Sequence, residues 1–290
     1  MKMHAPILLG LSFAFAGSLP NAARAQSTAP DSAPKYLQIT VEYTKPGKGG
    51  AAHDKSEGAF VQAMIKARFP IHYTAYTAIT GKPRTIYLSA FDSFEAMEKA
   101  DKIMDAPVVG AEFDRLNAAD GELLEEVRTL IFKSVPELSY HSIAPSPTNR
   151  VMEASIFQIR PGHRKEFEEL AKKVMATYDK VGTSDHWGAY RILYGELAGS
   201  YVLLTVSDSA TDIDKRLGED PKITAALSDE DNKKLDELRA AAIESSRREL
   251  YTANPAQSYV TDEWIKADPF WKPKAAAAAA AKPAEKKSKP

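Results

Sequence analysis

Two stretches decide the architecture: Tyr36–Thr44, YLQITVEYT, followed by Lys45-Pro46-Gly47-Lys48, and Val151–Ile159, VMEASIFQI, followed by Arg160-Pro161-Gly162-His163. In the first, Leu37, Ile39, Val41 and Tyr43 alternate with Gln38, Thr40 and Glu42. That period of two with one apolar face is a strand, and Pro-Gly ends it. The two stretches begin at residues 36 and 151, 115 apart. Matching blocks follow at nearly the same spacing. His72-Tyr73-Thr74-Ala75-Tyr76 answers His186-Trp187-Gly188-Ala189-Tyr190, and Asp92-Ser93 answers Asp208-Ser209. Arg128, Pro136 and Ser139-Tyr140 answer Arg247, Pro255 and Ser258-Tyr259. Four ordered blocks in register mark an internal duplication.

Each copy carries the same elements. Phe167, Leu170, Ala171, Val174 and Tyr178 recur at helical spacing opposite Lys165, Glu168, Glu169 and Lys172, and Phe60, Ala63, Met64 and Ala67 repeat this more weakly. Second strands are expected over 72–79 and 187–194, and third strands over 85–91 and 201–206. Asp92-Ser93 and Asp208-Ser209 are placed to cap the next helices. Those helical stretches run to about Val127 and Glu244, and short fourth strands lead into the proline blocks. The order β-α-β-β-α-β, twice, predicts an α+β fold of two tandem ferredoxin-like modules packed sheet to sheet as an intramolecular barrel. The modules span 36–140 and 151–265, with a linker at 141–150.

The ends read differently from this body. Lys2, the apolar run 7–16 (ILLGLSFAFA) and Ala23-Arg24-Ala25 make residues 1–25 a cleavable export signal, with 26–35 as linker. The apolar run is half of what a spanning helix needs, and no later segment is apolar enough to span. Export places the mature chain in the periplasm or outside the cell. Residues 266–290, with seven lysines and a run of seven alanines, read as a disordered Lys/Ala/Pro-rich tail suited to weak attachment to an anionic envelope surface. The whole chain of 290 residues holds 38 Lys+Arg against 39 Asp+Glu. Setting aside Lys2 and Arg24 of the signal, and seven lysines and two acids of the tail, leaves 29 basic and 37 acidic residues, a body at −8. Nucleic acid is thereby disfavoured as a partner. The absence of cysteine excludes disulfides, thiolate nucleophiles and cysteine-ligated metal centres.

A strand, Lys/Arg-Pro-Gly-Lys/His, a helix and then ββαβ together resemble the dimeric α+β barrel superfamily, most closely its NIPSNAP-like and antibiotic-biosynthesis-monooxygenase-like branches. The resemblance covers about 36–140 and 151–259. It implies the barrel fold, and it implies the functions found in that group: cofactor-independent monooxygenases, haem-binding proteins, lactone isomerases and proteins without known activity. Fold alone does not choose among them.

No nucleophile elbow, H-E-x-x-H, Walker loop or dinucleotide fingerprint occurs. His53 and Glu57, four apart, can share a helix face as metal ligands, but with no third ligand in view they read as a solvated face, and no metal or cofactor is expected. His163 reads as an exposed turn residue. The stronger candidates lie on the second strands: His186, Tyr190, Arg191 and Tyr194 in one copy, His72 and Tyr76 in the other, with Glu153 and Ser155 on the neighbouring strand. An imidazole and a phenol on one strand face can hold or deprotonate a small aromatic or apolar ligand. They can equally seal the seam between packed sheets. The expected function is an exported small-molecule-binding or interaction module. The alternative is a small-molecule enzyme, a cofactor-independent monooxygenase or a haem-binding protein, with His186 as base or ligand and no catalytic residue assigned.

Overall fold

A computed structural model describes residues 34–273. The export signal, nearly all of the first linker and the alanine-rich part of the tail lie outside the described residues. The first module is β1 (Tyr36–Thr44), α1 (Ala51–Ala67), β2 (Tyr73–Ala78), β3 (Arg84–Phe91), α2 (Phe94–Met104), α3 (Pro107–Gly121) and β4 (Leu124–Ser134). The second is β5 (Val151–Ile159), α4 (Arg164–Val181), β6 (Gly188–Tyr194), β7 (Ser200–Ser207), α5 (Ala210–Leu217), α6 (Asp220–Ala225), α7 (Asp229–Ala242) and β8 (Ile243–Ala253). A last helix, α8, covers Asp262–Ala267.

The strands close into one antiparallel barrel in the order β1-β3-β2-β8-β5-β7-β6-β4. Each module contributes four neighbours in ferredoxin-like order, and the two sheets meet at β2·β8 and β4·β6. Both apolar faces therefore look inward, and closure leaves no sheet edge exposed. The interior is filled by Leu37, Ile39, Val41, Tyr76, Ile86, Phe132, Met152, Tyr190, Ile192, Val202 and Tyr251. The helices cover the outer surface, with separate apolar clusters beneath α1 and α2 and beneath α4 and α7.

Three details depart from the sequence reading. The fourth strands begin early, at Leu124 and Ile243, and run 11 residues each. They must pair along both edges, β4 with β1 and β6, β8 with β5 and β2. Of the expected caps, Ser93 does accept from Ala96 N at 3.1 Å and Ser209 forms a capping box with Asp212. Asp208 instead ties the inter-module linker, accepting from Thr148 Oγ1 at 2.7 Å and Asn149 Nδ2 at 2.8 Å. The tail boundary also moves. Residues 266–271, expected in the tail, instead continue from 262 as a helical plug on the barrel, with Trp271 fully buried and Trp264, Ile265 and Phe270 packed around it. Arg150 lies over the Phe270 ring at 3.9 Å and pairs with Asp268, while Trp271 Nε1 donates to Pro147 O at 2.7 Å.

The repeated proline blocks are crossing arms. Residues 135–140 leave the first module and dock on β6, with Val135 N donating to Ala189 O at 2.8 Å and Ala189 N to Ser139 Oγ at 2.9 Å. Residues 254–259 leave the second and dock on β2 in the same way, with Asn254 N donating to Ala75 O at 2.8 Å and Ala75 N to Ser258 Oγ at 2.9 Å. Among the side chains that each arm buries are Leu138 and Gln257, at corresponding positions.

Emptying the plug tests its contribution. Trp271→Ala should destabilise the fold by about 3–5 kcal/mol, the usual cost of deleting a large buried aromatic, read as a lower denaturation midpoint in urea. A midpoint unchanged from wild type would show the plug to be a passive appendage.

Candidate functional site

The residues singled out in the sequence are spread over the barrel and are not gathered at one place. Tyr76 and Tyr190 both point into the filled interior, and burial pushes each phenol up to about 12. Arg191 alternates to the outer face of β6. Tyr194 is largely exposed and meets Phe94 edge-on. His186 precedes β6 and is engaged by backbone, Nε2 lying 2.8 Å from Val206 O and Nδ1 3.3 Å from Ser184 O. A neutral imidazole donates through one nitrogen only, and the shorter contact assigns that role to Nε2. Glu153 is held by Arg216 and by Arg248 at 3.1 Å. His72 stacks on Tyr259 with centroids 4.5 Å apart, and burial lowers its pKa against the opposing pull of Glu263 and Asp262. Of this set, Tyr76 and Tyr190 are packed into the barrel interior.

Chemistry instead collects beneath α1. The polar face of β1, set by the same alternation that turns Leu37, Ile39 and Val41 inward, carries Glu42 outward under the helix. There it meets His53 and Glu57 from α1 and Asp120 from the last turn of α3, with one ligand-type atom from each lying within 4.8 Å of the others. The expectation of a solvated His53–Glu57 face is overturned: His53 is 1% exposed and Glu57 is buried as well. Covering by α3 and by the second module's arm explains this, because neither is adjacent in sequence.

His53 is held on both sides. Gln257 donates its amide to His53 Nδ1 at 3.3 Å and to Asp54 Oδ1 at 2.8 Å, and Tyr87 OH donates to Gln257 Oε1 at 2.9 Å. An amide nitrogen can only donate, so Nδ1 accepts and the ring proton sits on Nε2. Nε2 faces Glu42 Oε2 at 3.1 Å and lies 3.9 Å from Asp120 Oδ1. Asp120 Oδ1 is buried with no hydrogen-bond partner. Burial, with the charges of Glu42 and Asp120 added, raises the Glu57 pKa well above the usual glutamate value. Burial also raises Asp120, and raises the phenols of Tyr73 and Tyr87.

The second copy shows what the fold itself requires at this place. Glu42 stands opposite Thr85, and its counterpart Phe157 stands opposite Tyr201. Under α4 the space is filled by the tilted rings of Phe157, Phe167 and Tyr201 with Leu138 from the other module's arm. Leu138 and Gln257 occupy the same place in their repeated blocks, each one residue before Ser-Tyr. One copy is thus an apolar cluster and the other a polar one in the same framework.

A cleft of about 360 Å³ opens beside the polar cluster at the β2·β8 seam. Its lining includes Thr44, His53, Asp54, Thr77, Asn254 and Gln257, with the Gly49-Gly50 turn at its rim. Gly50 has φ 62°, a left-handed conformation that favours glycine. Arg84, also at the cleft, is consumed by Glu249 at 2.7 Å and by Tyr251 OH.

Sequence reasoning missed Glu42, Asp120, Tyr87 and Gln257. Only the i, i+4 pair His53 and Glu57 carried a local signal.

The strand order and the crossing arms settle the architecture. The chain is an α+β barrel of two ferredoxin-like modules closed within one chain. No protein-family model matches the sequence, and no curated protein does. Solved structures are similar to it. An anthrone oxidase-like protein shares 12% identity over 78% of this chain and 94% of that one, with a TM-score of 0.47. A chlorite dismutase variant from Candidatus Nitrospira defluvii shares 7% over 81% and 96%, TM-score 0.47. A haem-binding protein from Thermus thermophilus shares 11% over 84% and 98%, TM-score 0.41. At these identities the likeness is one of fold alone.

The raised Glu57 pKa has a defined sign in stability. Between the ordinary glutamate pKa and its higher folded value, the native state holds a proton that the unfolded chain has released, so stability falls as pH rises through that window. In the presence of a chelator, Glu57→Gln should raise the thermal midpoint at neutral pH by a few degrees, about 2–4 °C per kcal/mol for a chain of this size, and flatten the decline above the carboxylate range. A variant with the wild-type slope would place the buried proton elsewhere.

Proposed function

We propose that the protein is an exported binding protein that holds a small, uncharged polar molecule in the cleft at the β2·β8 seam. One observation carries this: the barrel interior is filled, whereas the cleft is open and draws hydroxyl and amide groups from both modules. Its size falls within the range of small-molecule sites. The ligand is read as polar because Thr44, Thr77, Thr85 and Asn254 bring hydroxyl and amide groups to a lining that is otherwise largely apolar. An anion is disfavoured, since Arg84 is already paired and Asp54 faces the cleft. Asp54 accepts from Asn254 and Gln257, which fixes the amides that a ligand would meet. A thermal-shift screen of neutral polyols, sugars and amides should yield a saturable hit weakened at least tenfold in Thr77→Val. Hits confined to apolar aromatics, or a hit indifferent to Thr77, would refute the reading.

Export rests on the charged n-region, the apolar run 7–16 and the Ala23-Arg24-Ala25 site. Among the described residues no helix is long and apolar enough to cross a membrane. The basic tail would add weak attraction to an anionic envelope surface. N-terminal sequencing of protein recovered from the periplasm or medium should begin at Gln26, and a chain that retains Met1 would contradict cleavage.

A further inference from the structure

We propose that Glu42, His53, Glu57 and Asp120 form a binding site for a divalent first-row transition ion such as Zn²⁺, Mn²⁺ or Fe²⁺. The site goes beyond the cleft reading and does not require a small molecule to occupy the cleft.

Four observations carry it independently of charge count. First, one imidazole and three carboxylates from β1, α1 and α3 converge with their ligand-type atoms within 4.8 Å. Second, Asp120 is 3% exposed, and its Oδ1 faces His53 Nε2 with no hydrogen-bond partner. A buried acceptor without a donor costs free energy unless something positive meets it. The protein's own cations do not: among the described residues no lysine or arginine pairs with Glu42, Glu57 or Asp120, and His53 alone approaches them. Third, the outer contacts are those that hold a metal-binding imidazole in place. Gln257 anchors Nδ1 and is itself fixed by Asp54 and Tyr87, leaving Nε2 aimed at the carboxylates. An ion at Nε2 displaces the proton that this nitrogen carries in the ion-free site, so binding releases a proton from the cluster. Fourth, the duplicated copy packs the equivalent space with Phe157, Phe167, Tyr201 and Leu138. Helix-on-sheet packing in this fold is therefore satisfied without a single polar group there, and the carboxylates need another reason.

The donor chemistry selects the ion. Calcium favours six to eight oxygens and magnesium sheds water reluctantly, and neither profits from an imidazole. Copper(I) favours sulfur ligands, which the cluster lacks. Nitrogen with carboxylate oxygen suits zinc, manganese and iron(II). His53 lines both the cluster and the cleft, which supplies a route from solvent under the Gly49-Gly50 turn.

The test uses the mature full-length chain stripped with a chelator and titrated with Zn²⁺ and Mn²⁺ by calorimetry, with thermal midpoints read in parallel. One ion per chain should bind with micromolar or tighter affinity and raise the midpoint by several degrees, and Ca²⁺ and Mg²⁺ should bind at least 100-fold more weakly. Asp120→Asn and Glu57→Gln should each weaken binding at least tenfold. Their ion-free midpoints should equal or exceed that of wild type, because each replaces a buried carboxyl group by a neutral amide of the same shape; this separates loss of the site from loss of the fold. Should either variant fold poorly, Gln257→Leu, which installs the residue the other copy uses, should lower affinity tenfold in a folded chain. No saturable binding up to about 1 mM, binding that survives Asp120→Asn undiminished, or equal affinity for calcium would overturn the proposal.

Discussion

Closure of the barrel is the constraint on which the rest depends. Two four-stranded sheets, each with an apolar face that one set of helices cannot cover, satisfy each other only by meeting at both edges. That demand lengthens the fourth strands, which bond to partners on both sides. It also sends each chain segment after its fourth strand across the seam onto the other module. The serines of the repeated Ser-Tyr blocks, Ser139 and Ser258, have matching roles there, each accepting from the backbone of an alanine on the facing strand. A hydroxyl is needed because the strand amide it satisfies is buried in the seam.

Because the arms cross, each module's helix-covered pocket is finished by a side chain from the other. Leu138 completes an aromatic cluster and Gln257 an acid–imidazole cluster. The asymmetry is chemical and leaves the frame unchanged. Glu42 and Phe157 stand at corresponding strand positions, so the polar cluster was installed in a place where hydrocarbon also works. Burial there raises the pKa values of Glu57 and Asp120 and lowers the stability of the fold at neutral pH, a cost that an apolar core would not carry.

The barrel was readable because its signals are local. Alternation in Tyr36–Thr44 and Val151–Ile159 assigns strands over nine residues, and the Pro-Gly pairs stop them. Repetition then multiplies every local signal by two, which is why the order of elements and the pairing of two sheets in one chain could be read before any contact was known. The site residues were not readable in that way. His186, Tyr190 and Tyr76 drew notice as polar or aromatic residues at matching positions, yet matching positions in a duplicated barrel mostly repeat a packing role, and two of these phenols lie in the core.

Strand identity, helix faces, the duplication and the composition of the ends are properties of neighbouring residues, and neighbouring residues suffice to determine them. The meeting of Glu42, His53, Glu57, Asp120 and Gln257 belongs to tertiary packing alone. It depends on β1 turning one face outward, on α3 ending above it, and on an arm arriving from some 200 residues away, 204 between His53 and Gln257. Burial converts His53 and Glu57 from a solvated pair into part of an enclosed acid–imidazole cluster, and burial is set by what covers a helix, which the helix's own residues do not encode.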